Sequence, residues 1–396
     1  MLLLILFFIS DDDYPPSMRK IMLRIIPLTK VKIIWETDER QTIPLILDWT
    51  GFFGHPMYNI WRAVSWSFKF ALHSFIRHNN LLDNQVQPTC PFTCTLTNNK
   101  SNFNVADAIV FHYPDMHRSF VRPHKRYPHQ RYVFFTLESP MALSARARSA
   151  LNSSYPSFFN WTMTYRVDSD IPYPYGSFVR KNRSSSEMAK IQASFANRTK
   201  AVAWFVSNCH THSMREAYVA NLIRHIQVDI YGACGDLKCQ PSAPNDTKCL
   251  DIIKNNYWFY LSLENAVCKD YVTEKLFSQA LLNNVVPIVL SSQVLKQVNL
   301  PNNSYIAADQ FKCATDLAEH LKYLISNRTA YLAYLDWRTT HELRLWNQDP
   351  SVGFCRLCQM LHRNETSAKQ QCDQLSEWWI DRAGCKQGLG DGVSFH

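Results

Sequence analysis

Residues 257–291 constrain the fold of this chain more than any other stretch, because a strand, a helix and a second strand follow one another there. The segment 257–263 is an aromatic-rich apolar run of the length of a buried strand. Apolar residues then recur every four positions at Val272, Leu276 and Ala280. A β-branched run follows at 285–290. This order predicts a βαβ unit of a parallel sheet, and such sheets bind ligands beyond the carboxyl ends of their strands.

The predicted helix, which begins directly after Asp270, has an unusual polar face. Tyr271, Glu274 and Lys275 are spaced i, i+3 and i+4, so they share one face away from the apolar stripe. A lysine in a first turn opposes the helix dipole, and an anion bound at the free backbone N–H groups would compensate for it. The spacing alone leaves two interpretations open, an anion site and an ordinary solvated face.

The whole string, ENAVCKDYVTEKL followed by VVPIVLS, resembles the donor-binding motif of the α1,3-fucosyltransferases, an inverting family with the GT-B fold. The resemblance implies an α/β chain with two Rossmann-like domains that face a central cleft, and GDP-fucose as the donor. It implies that Asn265 and Tyr271 position the pyrophosphate and sugar, and that Glu274 holds the ribose hydroxyls or the fucosyl ring. The residues that match the motif are Glu264, Asn265, Asp270, Tyr271, Thr273, Glu274, Lys275 and Pro287.

Composition excludes several other classes of protein. A chain of 396 residues is expected to form two domains. It has only 10 glycines, and it contains neither a G-x-x-x-x-G-K-[ST] string nor a G-x-G-x-x-G string. These absences argue against a kinase or a dinucleotide enzyme. The net charge of +9 includes no basic run long enough for a nucleic-acid-binding arm. The charge suits either a small anionic ligand or plain solubility.

Cysteine content and glycosylation sequons indicate the secretory pathway. The chain has 12 cysteines. The apolar segment 1–9 is far shorter than the roughly 20 residues that span a bilayer. The resemblance implies a type II Golgi membrane protein with a lumenal catalytic domain, so we interpret this segment as a truncated anchor and 1–41 as anchor and stem-like leader. The sequons begin at Asn99, Asn152, Asn160, Asn182, Asn197, Asn245, Asn302, Asn327 and Asn364.

The first half of the chain, 42–195, is predicted to be the acceptor-side domain, with a helix around Asn59–Arg77. The strand 132–137 delivers Glu138 just before a serine and a proline. Position alone favours a carboxylate that caps the next helix, although carboxyl ends of strands are also where α/β sites lie. FTLESP and FNWTMTYRVDSDIPYPYG resemble the two first-domain motifs of the family, and the resemblance makes Glu138 the general base.

The second half, 196–345, is predicted to be the GDP-fucose-binding domain. Its first βαβ unit comprises 201–207, a helix that a capping box at Ser213 and Glu216 would begin, and 228–231. Arg215 falls in the first turn of that helix, a second cation at a helix amino end. The resemblance implies that Arg215 and Lys275 bind the GDP phosphates, and that Tyr231 belongs to the donor site.

The tail, 346–396, is rich in cysteine and is expected to pack back on the first domain. Two close pairs, Cys90 with Cys94 and Cys355 with Cys358, suit either a zinc site or disulfides by spacing. The resemblance implies disulfides, in the order Cys90–Cys355 and Cys94–Cys358.

Asp168 and Asp170 form a D-x-D pattern, which holds a metal in other glycosyltransferases, but they lie in the acceptor-side half. The resemblance implies that protein cations neutralise the phosphates, that no cofactor is tightly bound, and that Mn²⁺ stimulates rather than being a fixed ligand. We therefore expect no metal-binding residues.

The resemblance predicts transfer of L-fucose from GDP-fucose to O3 of N-acetylglucosamine in glycoprotein glycans, with inversion. The string YGACG, Cys239, Cys249 and Cys268 resemble invertebrate and plant enzymes that fucosylate the N-glycan core, which implies that acceptor. FHYPDM at 111–116 lacks the Trp or Arg of Lewis-type enzymes. Two alternatives remain, a Lewis-type enzyme acting on antennal lactosamine or LacdiNAc, and a non-catalytic relative that binds glycan or nucleotide.

Overall fold

The computed structural model describes residues 43–53, 57, 90–117, 122–153, 155, 157–183, 185–193, 195, 198–239, 247–346, 348–349, 351–363 and 374–388. The predicted leader and the predicted helix around 59–77 lie outside these residues. Within the described ranges, no helix combines the length and the apolar character needed to cross a membrane.

The first half of the chain forms a six-stranded parallel sheet. Its strands are β1 (Leu45–Asp48), β2 (Thr95–Thr97), β3 (Ala108–His112), β4 (Arg131–Thr136), β5 (Trp161–Thr164) and β6 (Ile171–Pro172), and helix α1 (Ala145–Ser153) follows β4. The strand order is β2-β1-β3-β4-β5-β6. Every residue of β3 and β5 is buried, as expected for strands covered on both faces. All carboxyl ends therefore lie along one edge, where β4 delivers Glu138.

The second half forms a separate five-stranded parallel sheet in the order β12-β11-β10-β8-β9. The elements in chain order are β7 (Gly176–Arg180), α2 (Ser185–Ala193), β8 (Lys200–Phe205), α3 (Arg215–Leu222), β9 (Val228–Tyr231), α4 (Lys248–Asn256), β10 (Tyr257–Leu261), β11 (Val286–Val289), β12 (Ile306–Ala307), α5 (Ala314–Ser326), α6 (Arg328–Ala333), β13 (His341–Leu345) and α7 (Gly353–His362). Two parallel sheets with helical connections confirm the predicted α/β class with two Rossmann-like units.

The two strands that join neither large sheet pair with each other. β7 follows the first sheet, β13 follows the second, and they pair antiparallel over five residues. At the start of β7, a Cβ on Gly176 would lie 2.5 Å from the ring of Phe277, which belongs to the second half. A glycine is therefore required where this strand passes the donor-side helix.

The tail is bound to the first half of the chain. Helix α7 carries two cysteines, which form the bridges Cys90–Cys355 and Cys94–Cys358, the pairing that the resemblance implied. Further along, the ring of Trp379 packs at 5.6 Å on that of Phe134 of β4. The other bridges of the described chain are Cys209–Cys234, Cys239–Cys249 and Cys268–Cys385.

The predicted start of the donor-side helix was wrong. The helix begins at Glu274 and continues as a π-helical turn over Lys275–Ala280, whereas Tyr271 precedes it and is buried rather than on a polar face. The cause is a bend at Asp270, whose φ of 61° lies in the left-handed region, so that residues 271–273 form an irregular turn before the helix.

The capping box predicted for α3 is absent. The helix starts at Arg215, and its N-cap is Met214, which has a φ of 51° and no side-chain capping bond. Instead, the hydroxyls of Ser213 and Thr211 bond to each other at 3.0 Å. The capping pattern therefore predicted the start of α3 to within two residues but identified the wrong N-cap residue.

Candidate active site

Glu138 lies at the carboxyl edge of the first sheet and contacts Tyr271 in the loop that follows β10 in the second half. The hydroxyl of Tyr271 donates to Glu138 Oε2 at 3.1 Å, although the two residues are 133 positions apart. The turn after Glu138, at Pro140–Ala142, has no side-chain cap. The carboxylate therefore faces the other half of the chain and does not cap the next helix.

Buried tyrosines surround Glu138. The rings of Tyr165 and Tyr271 are 4.9 Å apart, and the hydroxyl of Tyr175 donates to the backbone oxygen of Leu137 at 3.0 Å. Burial, and after it the negative charge of Glu138, raises the pKa of both Tyr271 and Tyr175 well above the usual value. These hydroxyls are consequently neutral near pH 7 and act as hydrogen-bond donors.

Lys275 is paired with side chains of its own loop and helix. Its Nζ lies 2.9 Å from Glu264 Oε2 and 2.9 Å from Glu274 Oε1, and it donates to the hydroxyl of Thr273 at 2.8 Å. Burial opposes the charge of the lysine, but the two carboxylates outweigh burial and raise the pKa of Lys275. The cation that the sequence placed against the helix dipole is therefore compensated by two acids rather than left unmatched.

Glu264 binds both Thr273 and Lys275 at the start of the helix. It is 7% exposed, and it accepts hydrogen bonds from the backbone N–H and the hydroxyl of Thr273, both at 2.8 Å. Burial raises the pKa of its carboxyl. The sequence motif includes Glu264, but sequence reasoning assigned it no role. Its position directly beyond a buried strand was the signal that could have identified it.

Arg215 reaches the same place from α3. It is buried, and its guanidinium donates to the backbone oxygens of Leu263 and Asn208. Its Nε is buried with no hydrogen-bond partner, since Glu216 lies 3.6 Å away. Because Arg215 binds Leu263 and Lys275 binds Glu264, the two cations converge on consecutive residues beyond the end of β10.

The other two predicted donor residues differ in their surroundings. Asn265 follows Glu264, and its side-chain oxygen is buried without a hydrogen-bond partner, so it has an unused acceptor beside the two cations. Tyr231 bonds through its hydroxyl to that of Tyr257 at 2.8 Å and stacks on Phe205 at 4.4 Å. The hydroxyl of Tyr231 is therefore hydrogen-bonded to Tyr257 rather than to Lys275, and its ring is buried.

The D-x-D carboxylates are used within the protein. Asp168 accepts from Arg166 at 2.7 Å and from Lys269 at 2.8 Å. Burial opposes ionisation of Asp168, but these hydrogen bonds outweigh it and lower its pKa to about 2. Asp170 accepts from the backbone N–H and the hydroxyl of Thr162, both at 2.8 Å. Both side chains thus have structural partners.

Among the residues that the structure describes, one group of three side chains has metal-ligand chemistry, namely Cys94, Cys358 and His362. The two sulfurs of this group are joined as a disulfide, at 2.02 Å, so they are not available as thiolate ligands.

Comparison with known proteins gives two family models that match the chain. Residues 41–176 match a model described as "Fucosyltransferase, N-terminal", and residues 195–378 match "Glycosyltransferase family 10 (fucosyltransferase) C-term".

Three relatives illustrate the similarity. "Alpha-(1,3)-fucosyltransferase fut-1" of Caenorhabditis elegans is 36% identical over 68% of this chain and 61% of its own. "Glycoprotein 3-alpha-L-fucosyltransferase A" of Drosophila melanogaster is 36% identical over 75% of this chain and 56% of its own. "Alpha-(1,3)-fucosyltransferase C" of the same fly is 33% identical over 86% of this chain and 79% of its own. The chain thus matches less than two thirds of the length of the first two relatives.

Proposed function

The chain belongs to glycosyltransferase family 10, the fucosyltransferases, and on this premise we propose that it transfers L-fucose from GDP-fucose to O3 of an N-acetylglucosamine unit in glycoprotein glycans, with inversion. The observation that carries the proposal is the hydrogen bond between Tyr271 and Glu138, which joins the donor motif to an acceptor-side carboxylate. An inverting transfer needs that arrangement, a base on one side of the reacting carbon and a stabilised leaving group on the other.

In this mechanism Glu138 removes the proton from the acceptor hydroxyl as it attacks. An alcohol is a weak nucleophile near pH 7, and a positioned base contributes roughly 10²–10⁴-fold to such a step. Glu138 is partly exposed, which gives an incoming hydroxyl access to its carboxylate. The bond to Tyr271 fixes the orientation of the carboxylate relative to the donor loop.

The leaving GDP gains negative charge, and Arg215 and Lys275 compensate for it. Both cations are held in place by the protein before donor binding, so little reorganisation is required when the charge develops. The Nε of Arg215 makes no hydrogen bond within the described part of the chain, so it is the donor we assign to a phosphate oxygen. Glu274, whose side chain is 46% exposed and pairs with Lys275, is assigned to a sugar hydroxyl of the donor. Asn265 and Tyr271 position the pyrophosphate and the sugar.

No resident metal takes part in this proposal, and Mn²⁺ is expected to stimulate at most. The support is that Asp168 and Asp170 are bound to protein partners, and that Arg215 and Lys275 are the cations proposed for the phosphates. Treatment with EDTA is therefore expected to leave most of the activity.

We further place the enzyme at the Golgi membrane with its catalytic region in the lumen. The support is the family and the five disulfides of the described chain, which form in oxidising compartments.

The N-glycan core is the proposed acceptor, with antennal lactosamine as the second candidate. The support is Cys268 in the donor motif, which is bonded to Cys385, together with the absence of a Trp or Arg after His112. A relative whose name specifies a glycoprotein substrate is among those with 36% identity. A trimannosyl-core glycopeptide should therefore be a better substrate than free N-acetyllactosamine.

The test is a donor and acceptor screen of the purified chain. GDP-fucose is expected to be used, and GDP-mannose and UDP-galactose are not. Glu138→Gln should bind GDP with wild-type affinity and lose at least nine tenths of kcat. This threshold is set low, because a general base usually contributes about 10²-fold or more. Glu319→Gln, an exposed carboxylate on α5 that pairs with Lys322, is the matched control. A chain that binds GDP and glycan but transfers no sugar would be a non-catalytic relative.

A further inference from the structure

Phe53 is an exposed aromatic residue held in an unfavourable backbone conformation. Its φ is 51°, in the left-handed region where bulky residues are outliers, and 52% of its surface is exposed. A glycine would adopt this conformation without strain. Backbone strain of this kind persists only where the surrounding structure imposes it, and it is concentrated at functional sites. Phe53 therefore calls for an explanation that an ordinary surface hydrophobic residue does not.

Neighbouring side chains hold Phe53 in position. The Asp115 carboxylate accepts the backbone N–H of Phe53 at 2.6 Å, and the same oxygen lies 2.6 Å from Nδ1 of His112. The rings of Phe53 and His112 are in edge contact, with centroids 4.8 Å apart. The ring of Phe52 contacts that of Phe53 at 4.7 Å and also packs 4.4 Å from His112 and 5.7 Å from Phe135. One face of this aromatic group is thus built into the protein while the ring of Phe53 projects outward.

The group lies at the same sheet edge as the proposed base. Phe53 follows β1, His112 ends β3, and Phe135 of β4 precedes Glu138 by three residues. These three strands are adjacent and parallel. β3 lies between β1 and β4, so Phe53 and Glu138 follow strands of one edge that are not neighbours. The negative charge of Glu138 acts on the ring of His112, as expected for groups on one edge.

We propose that Phe53 is a stacking platform for the acceptor glycan, which contacts the sugar next to the one whose hydroxyl faces Glu138. This inference rests on the proposed function and specifies its acceptor subsite. A pyranose ring with equatorial substituents, such as N-acetylglucosamine, presents axial C–H groups on its faces, and such a face matches an aromatic ring. Carbohydrate sites combine apolar faces of this kind with a few polar groups. Because one strand separates the strand before Phe53 from the strand before Glu138, the ring suits a neighbouring sugar better than the reacting one.

The experiment compares two acceptors that share the reacting sugar. One is a glycopeptide trimmed to a single asparagine-linked N-acetylglucosamine, and the other keeps the trimannosyl core. Phe53→Gly removes the ring and also removes the strain at a φ of 51°, so its Tm should not fall. Its acceptor KM should rise about fivefold for the full core and stay unchanged for the single sugar. Phe53→Tyr keeps a ring and should retain a wild-type KM for both.

Tyr323→Ala is the control, because Tyr323 is an aromatic residue of equal exposure on α5 of the other sheet. A wild-type KM of Phe53→Gly for the full core would overturn the platform, as would an equal loss on both acceptors. Should the wild-type chain transfer no fucose, the proposed function fails, and the platform is then decided by NMR titration of wild-type and Phe53→Gly chains with the full-core glycopeptide. Weaker binding by the variant supports the platform, and equal binding overturns it.

Discussion

Two bridges, Cys90–Cys355 and Cys94–Cys358, join α7 to the first half of the chain, and we call them the tail bridges. Removing one of them is expected to lower the free energy of unfolding by much less than half of the loss caused by removing both. The bridges close loops with sequence separations of 265 and 264, which are nearly the same loop. In the chain-entropy account, closing a loop of that size stabilises by about 5.5 kcal/mol. Once one bridge exists, the other closes only a small ring of roughly nine residues, through the first bridge, and adds about 2.5 kcal/mol.

The variants are Cys94→Ala with Cys358→Ala, Cys90→Ala with Cys355→Ala, and all four together. Each double variant should lower the free energy of unfolding by about 2.5 kcal/mol and the quadruple variant by about 8 kcal/mol. The quadruple loss should thus exceed the sum of the two double losses by about 3 kcal/mol.

Urea unfolding without reductant, followed by tryptophan fluorescence, measures these differences. Removing the bridge between Cys239 and Cys249, which has a separation of 10, is the control for one small ring, at about 2.5–3 kcal/mol. Additive losses for the two tail bridges would show that they constrain the unfolded chain independently and would refute the reasoning.

Three further predictions follow from buried charges. Burial raises the pKa of Asp48 to about 6 from its ordinary 3.8, so proton binding favours the folded state. That stabilisation is complete below about pH 4 and is lost as the pH rises through 6, so the unfolding free energy of wild type minus that of Asp48→Asn should fall over this range, and a constant difference would contradict it. Arg215→Lys keeps the charge but loses the planar fork that binds two carbonyls, so the affinity for GDP should fall about tenfold in calorimetry, and unchanged affinity argues against a phosphate role. Glu264→Gln leaves Lys275 paired with Glu274 alone, so kcat should fall more than KM for GDP-fucose changes; an unchanged kcat would show that Glu264 does not position the lysine.

Patterns local in sequence predicted the framework well. The apolar runs at 257–263 and 285–290 became β10 and β11, each slightly shorter, because strand character in a buried parallel sheet is written in consecutive residues. The position of Glu138 beyond β4 followed from a strand ended by a proline. Such features need no knowledge of distant contacts.

Contacts between distant residues were not predictable in the same way. Periodicity showed Lys275 as an unmatched cation, but its partner Glu264 lies 11 residues earlier in an irregular loop. The bend at Asp270 that buries Tyr271 uses a conformation that aspartate tolerates, but the apolar period of the segment does not indicate it. The environment of Phe53 likewise depends on Asp115, 62 residues away. In each case the deciding interaction joins residues whose separation in the sequence follows neither the helical nor the strand repeat.

The antiparallel pairing of β7 and β13 has a mechanical consequence for the chain. The chain leaves the first sheet through one of these strands and returns from the second through the other, and five residue pairs bind them side by side. A ribbon of two bonded strands bends readily across its flat face, whereas bending within its plane or sliding one strand along the other breaks hydrogen bonds. The joint therefore has one soft direction. We expect the two sheets to open and close by rotation about a single axis, the one about which this ribbon bends, rather than to rotate about several axes during substrate exchange.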